Sequence, residues 1–181
     1  MTAPLIETER LVLRGPRPED LDRCAELLDD YDVAKMLARV SYPYDLETGK
    51  AFLAKAAENW ADRAQADGLV FCIDHDGRMV GCLGFDKLRK TPQLGYWLGR
   101  PFWGRGFMSE AVRAAIGWFF QNTDHALLTS EAMAENPASL KVMEKLGFRA
   151  VGEGECFSLA RRATVPAIRT ELPREDFVKS L

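Results

Sequence analysis

The chain has 181 residues, 47% of them hydrophobic, and a formal net charge of −3, which fits one globular domain over residues 1–181 with ample core. A pI near 5.5 gives no global basic field to draw nucleic acid, and no stretch approaches the roughly 18 apolar residues that span a bilayer. The opening "MTAPLIETERLVLR" lacks the order of a secretion signal, and Cys24, Cys72, Cys82 and Cys156 show neither CxxC spacing nor a histidine cluster, so the expectation is a cytoplasmic protein with core thiols and no metal.

Residues 8–14, "TERLVLR", read as a strand, and Pro18-Glu19-Asp20 opens a helix: proline suits the first turn and early acids suit the dipole. Leu21, Cys24, Ala25 and Leu28 continue it at helical spacing, and 31–44 is irregular and aromatic, ending in "SYPYD". Asp45 caps a long helix predicted to run to Ala66, its apolar face made by Phe52, Leu53, Ala56, Ala57, Trp60 and Ala64. Asp67-Gly68 stops it. "LVFCI" (69–73) and "MVGCLGF" (79–85) form a hairpin over Asp76-Gly77, and "LGYWL" (94–98) is a further strand.

The run "RPFWGRGFMSEA" (100–111) places two glycines and an arginine just before the most apolar helix in the chain, 109–122. A strand follows at 126–134, then a short helix at 136–148 with Asn136 as cap, Pro137 in its first turn and Gly147 as its stop. The tail supplies one or two more strands. The pattern is a mixed α/β single domain.

Glycines before a helix let backbone N–H groups approach an anion, and the helix N-terminus favours negative charge. A phosphate loop of the Walker type needs Lys and Ser/Thr after its second glycine, whereas Phe107 and Met108 stand here. A dinucleotide fingerprint would read Gly104-x-Gly106-x-x-Ser109, but serine replaces its third glycine, and only 75 residues follow Gly106, too few for paired halves. A pyrophosphate cradle, with Arg105 adding charge, and a plain strand-to-helix turn both stay open on this loop alone.

The ordered set of segments narrows the choice. "ETERLVLRGPRPEDL", "YPYDLETGKAFL", "DGRMVGCLGF", "LGYWLGRPFWGRG" and "NPASLKVMEKLGF" together resemble the GNAT superfamily of N-acetyltransferases, and within it the RimJ/RimL-like branch, which acetylates protein N-terminal amines or similar small amines. The resemblance implies an α/β (α+β) fold: a twisted mixed sheet splayed in a V between two parallel central strands, flanked by helices, with acetyl-CoA held in the V. It implies a pyrophosphate loop at Trp103, Gly104, Arg105, Gly106, Phe107 and Met108, and a pantetheine-binding strand "YWLG" that includes Trp97 and Leu98. Trp103 and Met108 depart from the wider consensus, which backbone donors tolerate.

For the chemistry, the resemblance implies Ser139 as the acid toward the leaving thiolate, since Met143 stands where the family often has a tyrosine. Asn136 matches the residue that touches the pantetheine amide or a water. Gln93 replaces a glutamate common near the Gly-Tyr-Trp triplet, so Glu131 is the preferred base, with Glu135, Glu155, Asp86 and His75 as further candidates; His75 also reads as an exposed turn residue. The expected reaction is acetyl transfer to a primary amine, most of all a protein or peptide α-amine. A small-molecule acceptor such as a polyamine or antibiotic is the runner-up, and a catalytically silent CoA-binding sensor a third reading. "SYPYD" and the carboxylates are expected to line an acidic acceptor side suited to cations, and a homodimer is compatible with the branch.

Overall fold

The structure, a computed structural model, describes residues 3–179. Its opening differs from the single strand expected over 8–14: β1 (Ile6–Glu7) and β2 (Val12–Arg14) form a short antiparallel hairpin, with Ile6 opposite Leu13. Thr8 makes the turn: its N–H donates to the Leu11 carbonyl at 2.9 Å and its hydroxyl accepts the Leu11 N–H at 3.0 Å, local bonds that compete with a continuous strand.

A 3₁₀ turn (Pro18–Asp20) leads into α1 (Leu21–Leu28), and a one-turn helix, α2 (Tyr31–Ala34), occupies part of the segment expected to be irregular. Asp30 caps it by accepting from the Asp32 N–H at 2.9 Å. Asp45 caps α3 (Leu46–Ala61) as expected. That helix stops five residues before Ala66 because its last turn is tied to the next strand: the Trp60 indole donates to the Val70 carbonyl at 2.7 Å and the Asn59 amide to the Gly68 carbonyl at 2.9 Å. Its core face is Leu53, Ala56 and Trp60; Phe52, Ala57 and Ala64 face solvent.

β3 (Gly68–His75) and β4 (Arg78–Asp86) pair across Asp76-Gly77, both at positive φ (50° and 74°), the geometry of a two-residue hairpin turn. β5 (Gln93–Leu98) continues the sheet, α4 (Phe107–Asn122) crosses over it, and β6 (Leu127–Met133) returns parallel to β5. α5 (Pro137–Lys145) precedes β7 (Arg149–Ser158) and β8 (Ala163–Pro173), and β8 inserts between β6 and β7. A last helix, α6 (Arg174–Lys179), follows the two strands of the tail. The Arg174 guanidinium fixes its start by donating to the carbonyls of Phe120, Thr123 and His125 at the end of α4.

The eight strands run in the order β1-β2-β3-β4-β5-β6-β8-β7, antiparallel except at β5–β6. One face is sealed by α4, whose Ala111, Val112, Ala115, Ile116 and Phe119 are fully buried against Phe71 and Phe85. The other face meets α1 and α3 over a smaller cluster that takes in Cys24, Cys72, Cys82, Leu53 and Met79. The parallel pair is short. β5 and β6 touch only at Gln93–Thr129 and Leu94–Ser130, and beyond that point they part. The expected V is this divergence.

Candidate active site

The gap between β5 and β6 is lined by backbone whose direction follows from strand pairing. The Gly99 N–H donates to the Val80 carbonyl at 2.9 Å, so Gly95 and Trp97 bond toward β4 while Leu94, Tyr96 and Leu98 turn their peptide groups toward β6. The Leu94 carbonyl accepts from Ser130 Oγ at 2.9 Å, and the Leu98 carbonyl accepts from the Trp103 indole at 2.8 Å. The parallel ladder ends at Leu94–Ser130. The Tyr96 peptide and the Glu131 carbonyl therefore open into the gap instead of meeting.

At the wide end of the gap the chain makes a 3₁₀ turn (Arg100–Phe102) and then the glycine loop. Gly104 and Gly106 take φ of 71° and 79°, left-handed values that glycine adopts without a Cβ penalty. Phe107 and Met108 bury their side chains in the core, at 2% and 8% exposure. The Met108 departure thus lies beneath the loop, which presents outward its backbone and the Trp103 and Arg105 side chains. Among the described residues, the N–H groups of 104–109 have no protein acceptor. Six consecutive donors at the head of a 16-residue helix form an anion cradle.

Residues about a hundred positions away brace this cradle, which no local pattern revealed. Arg10 donates through Nη1 to the Arg105 carbonyl at 3.0 Å and pairs with Glu110 at 2.7 Å. Glu110, in the first turn of α4, also accepts from the Thr8 hydroxyl at 2.6 Å and the Arg10 N–H at 2.8 Å. Burial pushes the Glu110 carboxyl up, but the bonds from Thr8 and Arg10 outweigh it and hold the group below its ordinary range. The guanidinium groups of Arg10 and Arg105 both sit 4.8 Å from the Phe107 ring centre. His75 belongs here too: it ends β3, 4.5 Å from the Phe107 ring, and is a packed strand residue rather than an exposed turn residue.

On the same face, Asn136 accepts the Ser139 N–H at 3.1 Å, which fixes the first turn of α5. Ser139 meets a partner the sequence did not suggest. The Tyr96 hydroxyl lies 2.9 Å from Ser139 Oγ and 3.1 Å from the Ser139 carbonyl. Burial pushes Tyr96 up to about 12, with the Ser139 bond opposing the shift, so the phenol stays protonated at neutral pH. A tyrosine hydroxyl thus stands beside α5 after all, delivered by β5, while Met143 is buried with its sulfur 3.2 Å from Thr170 Oγ1.

Glu131 projects from the opposite face. It lines an open cavity of about 370 Å³ with Gln93, Thr129, Lys87, Arg169 and Glu171. The other acids stand elsewhere: Glu135 pairs with Arg161, Asp86 with Arg39, and Glu155 is exposed on β7. Trp97 also faces away from α5; its side chain packs on the cluster beneath α1 and α3, and it is the ladder partner of Cys82. Ser139, Asn136, Leu98 and the loop 103–108 therefore gather on one side of the gap, and Glu131 and Trp97 on the other. Among the described residues no helix is long and apolar enough to cross a membrane.

The chain is similar to known proteins over most of its length. It is 28% identical over 148 residues to the uncharacterised N-acetyltransferase p20 of Bacillus licheniformis, covering 80% of this chain and 82% of that protein. It is 29% identical over 82 residues to the ribosomal-protein-serine acetyltransferase of Escherichia coli, 44% of this chain and 46% of that one. The solved structure of RimL, a ribosomal L7/L12 α-N-protein acetyltransferase in complex with coenzyme A, superposes with a TM-score of 0.81 at 19% identity, covering 94% and 98% of the two chains. A family model for the acetyltransferase (GNAT) domain matches residues 10–149, and the chain belongs to that family of N-acetyltransferases, with RimJ/RimL-type ribosomal-protein acetyltransferases among its relatives.

Proposed function

We propose that residues 1–181 form one catalytic domain that moves the acetyl group of acetyl-CoA to a primary amine, first of all the α-amine of a protein or peptide. The observation that carries this reading is the run of open N–H groups at 104–109 beside a strand gap whose backbone is unpaired. The donor set fits a pyrophosphate: the N–H groups, the left-handed glycines and Arg105 would hold it, and the Tyr96 and Leu98 peptides would hold the pantetheine arm. Acetyl-CoA supplies an activated acetyl thioester. The RimL relative's complex with coenzyme A supports the same ligand class for this chain.

The chain's own groups divide the remaining work. Ser139 Oγ, oriented by Tyr96 and by the Asn136-capped turn, holds the proton that a departing thiolate needs. The Tyr96 N–H opens into the gap, where it can donate to a developing oxyanion. Glu131, on the face away from α5, accepts the proton that the incoming ammonium must lose. An α-amine near pKa ~8 costs roughly 3 kcal/mol less to deprotonate at neutral pH than a lysine near ~10.4. That lower cost favours the α-amine.

Titration calorimetry with acetyl-CoA, with NAD and ATP as controls, tests the first half of this reading. Micromolar binding of acetyl-CoA alone is expected, followed by thiol release when peptides with free N-termini are added. A folded protein that does not bind acetyl-CoA refutes the cradle assignment. One that binds it but acetylates no peptide or small amine refutes the enzymatic half and leaves the sensor reading.

A further inference from the structure

The acidic carboxylates of the sequence suggest an acceptor side that welcomes cations. The cavity beside Glu131 is built differently. Thr129, Glu131, Arg169 and Glu171 share one face of the sheet by strand parity, Glu131 lying opposite Arg169 and Thr129 opposite Glu171. Lys87 joins them from the loop between β4 and β5.

Both cations are held in place by deliberate-looking geometry. The Arg169 guanidinium lies across β7 where the strand has glycines: a Cβ at Gly152 would come within 3.3 Å of Nη2, and one at Gly154 within 3.5 Å of Nε. The same position at Gly154 is 3.5 Å from Glu131 Oε2, so the carboxylate and the guanidinium flank one bare stretch of backbone. Arg169 spends a bond on the Glu153 carbonyl at 2.9 Å, leaving most of its five donors free. Lys87 sits at φ 58°, a left-handed conformation that non-glycine residues rarely adopt. Its ammonium donates to Gln93 Oε1 at 2.5 Å, with two N–H groups to spare.

Neither cation has a carboxylate within ion-pair distance among the described residues, in a chain with an excess of acids. The cavity lining holds two carboxylates, Glu131 on β6 and Glu171 on β8, and two cations, Lys87 on the β5 side and Arg169 on β8, with Arg169 opposite Glu131 in the ladder. A polyamine with one nitrogen on Glu131 could place its next ammonium on Glu171, but it would leave Lys87 and Arg169 without an anion. An acceptor with an acid group near its amine would pair the amine with Glu131 and the acid with the neighbouring cation.

We propose that this cavity is an acceptor subsite for an amine that carries its own carboxylate. The amine would lie on Glu131 and the carboxylate one strand spacing away on Arg169, with Lys87 adding its charge to the cavity from the β5 side. This deepens the acetyl-transfer reading above and rests on it. The chemistry is shared by a peptide with an acidic residue next to its N-terminus and by a free amino acid.

The test compares initial rates of thiol release from saturating acetyl-CoA at low ionic strength. The acceptors are the tripeptide amides Ala-Glu-Ala, Ala-Gln-Ala and Ala-Lys-Ala, free glutamate, and spermidine. The expected result is a kcat/KM at least tenfold higher for Ala-Glu-Ala, or for free glutamate, than for Ala-Gln-Ala, with the lysine peptide and spermidine slowest. Which of the two acidic acceptors is faster tells a peptide from a free amino acid as the source. Arg169→Gln and Lys87→Gln should each lower the acidic-to-neutral ratio several-fold, mainly through KM of the acidic acceptor. Lys87 is on an exposed loop, so that variant keeps the test alive if Arg169→Gln fails to fold. A ratio near one, a preference for spermidine, or a ratio unmoved by both variants overturns the subsite alone. Acetyl-CoA binding without turnover of any amine overturns the acetyl-transfer reading, and the subsite falls with it.

Discussion

The Tyr96–Ser139 contact makes a quantitative demand on the mechanism. If Tyr96 acts only by orienting Ser139, removing its hydroxyl should matter only while Ser139 is present. Tyr96→Phe deletes one O–H that lies 2.9 Å from Ser139 Oγ and 3.1 Å from its carbonyl, in a largely buried setting. A neutral hydrogen bond of this kind is worth about 1–1.5 kcal/mol net, so kcat should fall roughly tenfold. Ser139→Ala removes the proposed acid and should cost about 10²-fold or more. The double variant should be no slower than Ser139→Ala, a coupling energy of about 1–1.4 kcal/mol. The assay is thiol release at saturating acetyl-CoA, with calorimetric binding of CoA expected to stay within about twofold in all three variants, well under the 1.4 kcal/mol that a tenfold change represents. If the tenfold loss from Tyr96→Phe persists in the Ser139→Ala background, Tyr96 works independently of Ser139 and the relay is wrong. Unchanged activity in Ser139→Ala removes Ser139 as the acid.

Other consequences are simpler to read. Gly106→Ala forces a Cβ onto a residue at φ 79° and to 3.4 Å from Arg10 Nη2; the strain of about 1–2 kcal/mol should weaken acetyl-CoA binding roughly 5- to 30-fold by calorimetry, and undiminished affinity would show that the loop does not hold the pyrophosphate. Acetyl-CoA at about a hundred times its Kd should stabilise the fold by about 2.7 kcal/mol, a rise in Tm of about 7 °C for a chain of this size, whereas NAD should give none. Alkaline stability follows from Tyr44 and Tyr96, both pushed up to about 12 by burial. Because the unfolded phenols release their protons near pH ~10 and the folded ones do not, stability should be intact below that pH and fall as pH rises toward 12; Tyr96→Phe should flatten part of that fall in chemical denaturation curves.

The glycine loop, the capped helix at 136–148, the Asp76-Gly77 hairpin and the apolar helix over the sheet were legible because each is specified locally. Gly106 and Gly147 occupy positive φ, Asn136 and Asp45 cap neighbouring N–H groups, and α4 carries its own apolar face. What escaped is long-range. Thr8, Arg10 and Glu110 meet across a hundred residues, and neither sequence neighbourhood names the other. Tyr96 reads as one more aromatic in a strand until β5 and α5 are placed together. The end of α3 was overestimated because propensity continues through Ala64 and Ala66, while the bonds from Asn59 and Trp60 to β3 decide where the chain turns. Likewise α6 depends on Arg174 binding the carbonyls that end α4, a tertiary cap with no local signature.

Strand parity explains why the candidate groups divide as they do. On β5, Leu94, Tyr96 and Leu98 look toward α4 and α5, and Gln93, Gly95 and Trp97 look the other way; on β6, Ser130 and Ala132 share the first face, and Thr129 and Glu131 the second. The proposed transfer needs this division: the group that serves the leaving sulfur would stand with the glycine loop, and the group that serves the amine across the gap. Ser139 with Tyr96, and Glu131 with its cavity, meet that requirement because the parallel pairing stops at Leu94–Ser130 and leaves an opening between the faces. A one-residue slip of either strand would exchange its faces. Tyr96 would leave Ser139 and Trp97 would take its place, or Glu131 would leave the acceptor cavity. The Ser130 hydroxyl on the Leu94 carbonyl and the Thr170 hydroxyl on the Ser130 carbonyl bind the closed end of the gap in the working register. Their burial, 3% and 5% exposed, makes those bonds costly to leave unmade. The two small hydroxyls thus hold the parity on which the proposed separation of acid and base depends.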